Sequence, residues 1–150
     1  MIILVSACLL GDKVRYDGTD KQNDFVVSLK ENHTLIPVCP ETLGGLKSPR
    51  LPSEIVNDKV LRKDGLDLSD NFISGAMKAY EIADKSKIDF AVLKSKSPSC
   101  GYQEIYDGSF SGKLKDGNGI FTEILLKNNI RVFTENDIDE INEYIKNQSN

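Results

Sequence analysis

The chain carries no block of lysine or arginine, no apolar run near the roughly 18 residues of a membrane span, and one histidine. At a net charge of -4 over 150 residues, the missing basic block argues against duplex DNA, intact tRNA or another large polyanion. A small molecule is the expected partner. The opening residues lack a basic region followed by a signal-peptide core and cleavage site, so a cytoplasmic location and no membrane partner are expected. Three cysteines cannot build a complete disulfide framework; in a reducing compartment they are buried, catalytic or metal-binding. No repeat, low-complexity stretch or linker divides the chain, and residues 1–150 are expected to form one domain, with a monomer favoured.

What is present is an alternation of short apolar runs and amphipathic stretches. Met1 to Val5, Thr34 to Val38, Asp89 to Leu93 and Arg131 to Phe133 read as strands of a buried parallel sheet. Helices are expected over Lys21 to Asn32, over a long segment capped by Ser69, over Ile120 to Lys127, and after Thr134 with Asp137 in the first turn. In the long helix Phe72, Ile73, Ala76, Met77, Tyr80 and Ala83 recur at helical spacing, and in the last one Ile138, Ile141, Tyr144 and Ile145 do so; both stripes are core candidates. Glu54 to Val56 and Lys59 to Leu61 flank Asn57-Asp58 as a small β-hairpin. Gly101 to Gly119 is turn-rich, a hairpin or a loop folded over a site. The expected fold is α/β: a single-domain Rossmann-like three-layer sandwich with a mostly parallel central sheet and a small accessory β-hairpin.

Cys8, Cys39 and Cys100 each follow a different one of these strands. In an open α/β sheet the carboxyl ends of the strands share one edge, where ligands bind, so residues far apart in sequence meet there. Unconnected structural cysteines would instead scatter through the core as small hydrophobes. Three thiolates can hold a zinc ion or an iron-sulfur cluster and leave a coordination position open for a substrate. The spacing fits neither a Cys-x-x-Cys ribbon nor the bacterial ferredoxin run. His33 falls in the turn before the second strand, at the opposite end of the sheet, and is not expected as a ligand or as a base for a thiol nucleophile.

Around the cysteines lie the other candidates. Glu41, two residues after Cys39, is placed to act as general base toward water, or else to cap the following turn or pair with Arg50. The loop Lys94 to Gly101 packs lysines, hydroxyls and Cys100 together. Ser97 and Ser99 can donate to a ligand or satisfy loop backbone; Lys94 and Lys96 can stabilise thiolates or point into water. Arg50, Lys94 or Lys96 can also accept a phosphate, which keeps nucleotides open as substrates.

Several stretches together resemble the thiouracil desulfurase family, formerly known as a domain of unknown function. They are Val5-Ser6-Ala7-Cys8-Leu9-Leu10-Gly11, Val38-Cys39-Pro40-Glu41 with Gly44-Gly45-Leu46 and Pro49-Arg50, Gly75-Ala76, Lys96-Ser97-Pro98-Ser99-Cys100-Gly101, and Ile105-Tyr106-Asp107-Gly108-Ser109-Phe110-Ser111-Gly112. The resemblance covers nearly the whole chain. It implies a four-iron four-sulfur cluster on Cys8, Cys39 and Cys100, with an open iron for the sulfur of a thionucleobase or thionucleoside. The implied reaction is non-redox desulfuration of 4-thiouracil or a close relative to uracil and hydrogen sulfide. Glu41 would activate water and Ser97 would orient the base or stabilise its charge, with Ser99, Lys96 and Arg50 as substrate-binding residues. The alternatives are an iron-sulfur sulfur-carrier or sensing module without turnover, and a zinc hydrolase with three cysteine ligands.

Overall fold

The fold is known from a computed structural model that describes residues 1–148. In chain order the elements are β1 (Ile2–Ser6), α1 (Asp24–Ser28), β2 (Thr34–Val38), α2 (Pro40–Leu43), β3 (Ser53–Val56), β4 (Lys59–Arg62), α3 (Ser69–Ser86), β5 (Phe90–Leu93), β6 (Glu104–Tyr106), β7 (Leu114–Asp116), α4 (Ile120–Lys127), β8 (Val132–Thr134) and α5 (Ile138–Gln148). Four strands form the central sheet in the order β2-β1-β5-β8, all parallel, while β3-β4 and β6-β7 are separate antiparallel hairpins. Both faces of β1 and β5 are buried, which is why these strands read as unbroken apolar runs. Pro37 lies in β2 at the sheet edge, where a residue without an amide hydrogen is tolerated.

Alternation along the strands sends side chains to two cores. Leu4, Val38, Ala91, Leu93 and Val132 pack with α3 and α4, through Ala76, Ala79, Ala83, Phe121 and Leu125. Ile3, Val5, Phe90, Val92 and Phe133 pack with Val26, Leu29 and Ile141 on the other face. There Phe90, Phe133 and Tyr144 meet edge to face, with centroids 5.2–5.6 Å apart. Helices therefore cover both faces of the sheet, as a Rossmann-like sandwich requires. From β1 the chain steps to β2 on one side and then crosses to β5 on the other. The β1/β5 junction is thus the topological switch point.

Several expected details differ. The first helix is shorter than Lys21 to Asn32, because the amides of Lys21 and Asn23 donate to the carbonyls of Cys8 and Leu9; the helix starts after Asn23, whose side chain accepts the Val26 amide. Ser69 is not a cap but the first residue of α3, and its hydroxyl accepts the amide of Val60. The apolar stripe of α3 is also displaced. Ile73 and Met77 are exposed, at 49% and 54%, and the buried face is Phe72, Gly75, Ala76, Ala79 and Ala83. Small residues serve there because α2 lies against α3 backbone to backbone: a Cβ on Gly75 would collide with the carbonyl oxygen of Pro40. Thr134 ends β8 rather than opening α5, and Asp137 accepts both its amide and its hydroxyl just before the helix begins. Ile138, expected in the core, is exposed.

Candidate active site

Cys8 follows β1 in a 3-10 turn, Ala7–Leu10. Cys39 directly precedes α2, whose first residue is Pro40, a residue suited to the start of a helix. Cys100 sits in the loop after β5, and α4 holds that loop from behind: the amides of Ile120 and Phe121 donate to the carbonyls of Pro98 and Ser99, and the Thr122 hydroxyl donates to the Cys100 carbonyl at 2.9 Å. All three thiols are free, Cys8 and Cys100 are buried, and Cys39 is half-buried. They line one cavity of about 350 Å³ at the carboxyl edge of the sheet.

The same cavity is lined by Glu41, Arg50, Lys94, Lys96, Ser97 and Ser99, so every residue singled out in the sequence reaches it. Glu41 is held at both oxygens. Arg50 donates to Oε1 at 2.8 Å and the Ser99 hydroxyl donates to Oε2 at 2.7 Å. The pairing with Arg50 considered from sequence thus exists, and it leaves the carboxylate in the cavity wall. Arg50 also donates to the carbonyls of Lys47 and Val14 and to the Ser48 hydroxyl, which fastens the proline-rich loop to the loop after Cys8.

Ser97 Oγ accepts the amides of Ser99 at 3.1 Å and Cys100 at 2.8 Å, and lies 2.9 Å from Ser99 Oγ. The Ser99 hydroxyl hydrogen is engaged by Glu41, so in the contact between hydroxyls Ser97 is the donor. Lys94 pairs with Glu135 at 3.1 Å and donates to Ser95. His33, by contrast, stands with Nδ1 3.1 Å from the amino-terminal nitrogen of Met1, at the far end of the sheet. Burial and the neighbouring N-terminal charge hold its pKa below the ordinary value.

Burial pushes the Cys8 thiol up to about 11, against a lowering influence of the Lys94 cation, and pushes Cys100 up to about 12 against hydrogen bonds from Ser6 and Ser99. Each buried thiol also feels Cys39, in the direction expected of neighbouring negative charges. A metal centre here would have to displace protons from both. Among the described residues, no three His, Cys, Asp or Glu side chains form a group that could hold a metal ion. A zinc ion draws its thiolate ligands to within about 4 Å of one another, given bonds of about 2.3 Å. Three cysteine thiols lining one cavity supply the soft donors that an iron-sulfur cluster takes.

Sequence reasoning missed two carboxylates, Glu54 and Glu135, both 9% exposed. Glu54 lines the cavity and accepts the amides of Gly108 and Phe110 at 2.9 and 3.2 Å; Glu135 accepts the amide of Ser95 at 2.8 Å. Isolated acidic residues normally lie at the surface, and nothing in their spacing marks these as buried. Tyr16, Tyr106 and Phe110 add aromatic wall.

A parallel sheet that brings three strand-end thiols to one cavity beside a doubly anchored carboxylate defines a Rossmann-like α/β fold with a cysteine-lined site. This chain belongs to the 2-thiouracil desulfurase family, whose model matches residues 3–137. It is 34% identical over 150 residues to the uncharacterized protein YbbK of Bacillus subtilis (strain 168), covering 93% of this chain and 99% of that one. Its fold superposes with a TM-score of 0.90 on a [4Fe-4S]-dependent thiouracil desulfidase, TudS, at 39% identity, over 96% of this chain and 97% of that one.

Proposed function

We propose that this protein removes sulfur from a thiolated nucleobase, 4-thiouracil or a close relative, by hydrolysis to uracil and hydrogen sulfide. The observation that carries the reading is the opening of Cys8, Cys39 and Cys100 onto one cavity with the Glu41 carboxylate in its wall. These three cysteines would hold the four-iron four-sulfur cluster. When bound, such a cluster supplies a Lewis-acidic iron with affinity for the soft sulfur of the substrate. A single domain over residues 1–150, a cytoplasmic setting and a substrate smaller than a large nucleic acid belong to the same proposal. The acidic net charge of -4 supports it, and no helix among the described residues is long and apolar enough to cross a membrane.

The work of the chain itself is proton management and positioning. Water adds to the carbon that bears sulfur, and one of its protons passes to Glu41. As the carbonyl forms the carbon-sulfur bond breaks, and sulfur leaves as hydrogen sulfide with the remaining hydroxyl proton and the one Glu41 gives back, so no electron is gained or lost. Arg50 and Ser99 fix the carboxylate in the cavity wall. Ser97, whose oxygen accepts two amides and whose proton rests on Ser99, turns that proton from Ser99 toward charge developing on the ring.

The test is anaerobic. Protein reconstituted with iron and sulfide is given 4-thiouracil, and loss of its near-ultraviolet band is followed together with released sulfide. Turnover of both in step is expected. Loaded protein that binds the compound yet releases no sulfide would overturn the proposal in favour of a carrier or sensor. Zinc without iron after oxygen-free purification would favour the hydrolase with three cysteine ligands. Glu41→Gln keeps the cluster absorbance and slows turnover.

A further inference from the structure

The motif Ile105 to Gly112 remains without a task in the reading above, although it turns back onto the cavity. Its β6–β7 hairpin is tied down on two sides. Lys96, in the site loop, bridges to Ile105, and the buried carboxylate of Glu54, on β3, accepts the amides of Gly108 and Phe110 through one oxygen. Gly108, at φ +93°, lies so near β3 that a Cβ there would stand 2.8 Å from the Ile55 carbonyl oxygen. Asp107 closes the turn by accepting the Ser109 amide at 2.9 Å.

Held this way, Phe110 adopts φ +56°, a left-handed backbone that an aromatic residue seldom takes and keeps only where its surroundings impose it. Its side chain is half-buried, yet it joins none of the three apolar clusters found among the described residues. It lies instead in the wall of the cavity shared by Cys8, Cys39, Cys100 and Glu41. A phenyl ring kept out of the core on a strained, doubly anchored turn offers a flat apolar face to whatever enters.

We infer that Phe110 is the platform on which the planar ring of the substrate lies, and that Glu54 is the positioning residue that holds it there. The inference deepens the desulfuration reading, since a thiolated nucleobase is flat and every such base has a face to stack. Stacking on one aromatic residue accounts for about tenfold in affinity.

The experiment measures equilibrium binding of uracil to the cluster-loaded protein by calorimetry, beside KM and kcat for 4-thiouracil. Phe110→Ala is expected to weaken uracil binding about tenfold and raise KM in proportion, with kcat within about twofold and cluster absorbance unchanged. Phe110→Tyr, which keeps the face, binds as the parent does. Glu54→Ala repeats the loss, whereas Glu54→Gln, which retains an acceptor oxygen for the two amides, restores binding. Unchanged binding by Phe110→Ala, full binding by Phe110→Leu, or a parent protein that takes up no uracil would each overturn the inference. If the parent binds uracil and Phe110→Ala loses it, while 4-thiouracil releases no sulfide, the desulfuration reading falls and the platform stands.

Discussion

The Ser99 hydroxyl donates to Glu41 Oε2 at 2.7 Å, joining the loop before Cys100 to the helix after Cys39. Ser99 is 2% exposed, so this bond is shielded from bulk water. A hydrogen bond to a charged partner contributes about 1.5–3 kcal/mol. Ser99→Ala is therefore expected to lower kcat about tenfold or more while leaving KM for 4-thiouracil and the cluster absorbance near those of the parent. Ser99→Thr, which keeps the hydroxyl, should recover most of the rate. A large rise in KM with kcat intact would return Ser99 to the role of a ligand-binding hydroxyl.

Arg50 holds the other oxygen of Glu41 and at the same time spans three loop carbonyl and hydroxyl acceptors. Both partners of the ion pair are largely buried, with side chains 10% and 16% exposed. Removing the guanidinium from such a pair costs about 3 kcal/mol, because the carboxylate stays behind. Arg50→Met should lower the denaturation midpoint accordingly, and Glu41→Gln added to it should cost little more. Strictly additive losses in that double-mutant cycle would show the two side chains to be uncoupled.

Gly75 and the carbonyl of Pro40 touch where α3 crosses α2, and α2 immediately follows Cys39 and carries Glu41. An added methyl has to push the short helix away, a change of the overpacking kind that costs about 1–3 kcal/mol. Gly75→Ala is expected to reduce both thermal stability and the iron retained per chain after reconstitution. Ser74→Ala, one residue away on the exposed face, should do neither. Full iron content in Gly75→Ala would mean that α2 accommodates the shift without moving Cys39.

Much of this arrangement was legible in the residues. Buried parallel strands announce themselves as short β-branched runs, and once Val5, Val38 and Leu93 are placed as strand ends, the doubly wound topology forces the cysteines that follow them to one edge. What escaped depends on partners that no local pattern encodes. The buried face of α3 is built of alanine and glycine because α2 presses on it, so the larger Ile73 and Met77 misdirect a reading based on hydrophobic bulk. Glu54 and Glu135 look like surface charge until the amides and the lysine that satisfy them are in place.

Cys8 and Cys100 hold their protons more tightly in the folded chain, with pKa values near 11 and 12 against an ordinary 9.0. Between those values the folded state binds more protons than the unfolded one, so stability falls as pH rises. Their contribution is complete below about 9 and lost as the pH passes through 11 and 12. The urea midpoint of the metal-free, reduced protein should decline from pH 9 upward, and more gently in Cys8→Ala, which removes one of the two groups. Equal slopes for parent and variant would place the unfolding protons elsewhere.

Lys94 pairs with Glu135 at 3.1 Å beside the strand end that leads to Cys8, and the two charges act on that thiol in opposite senses. The lysine favours the thiolate and the glutamate opposes it. Lys94→Met and Glu135→Gln both break a largely buried ion pair, so both should lower stability. Their effects on cluster retention should nevertheless diverge. Lys94→Met removes the compensating cation and is expected to shed iron severalfold faster in the presence of a chelator. Glu135→Gln leaves that cation unopposed and still offers an oxygen to the Ser95 amide, so its iron should be held at least as long as in the parent. Release that merely tracked stability would be faster in both variants; iron loss followed by visible absorbance decides between the two.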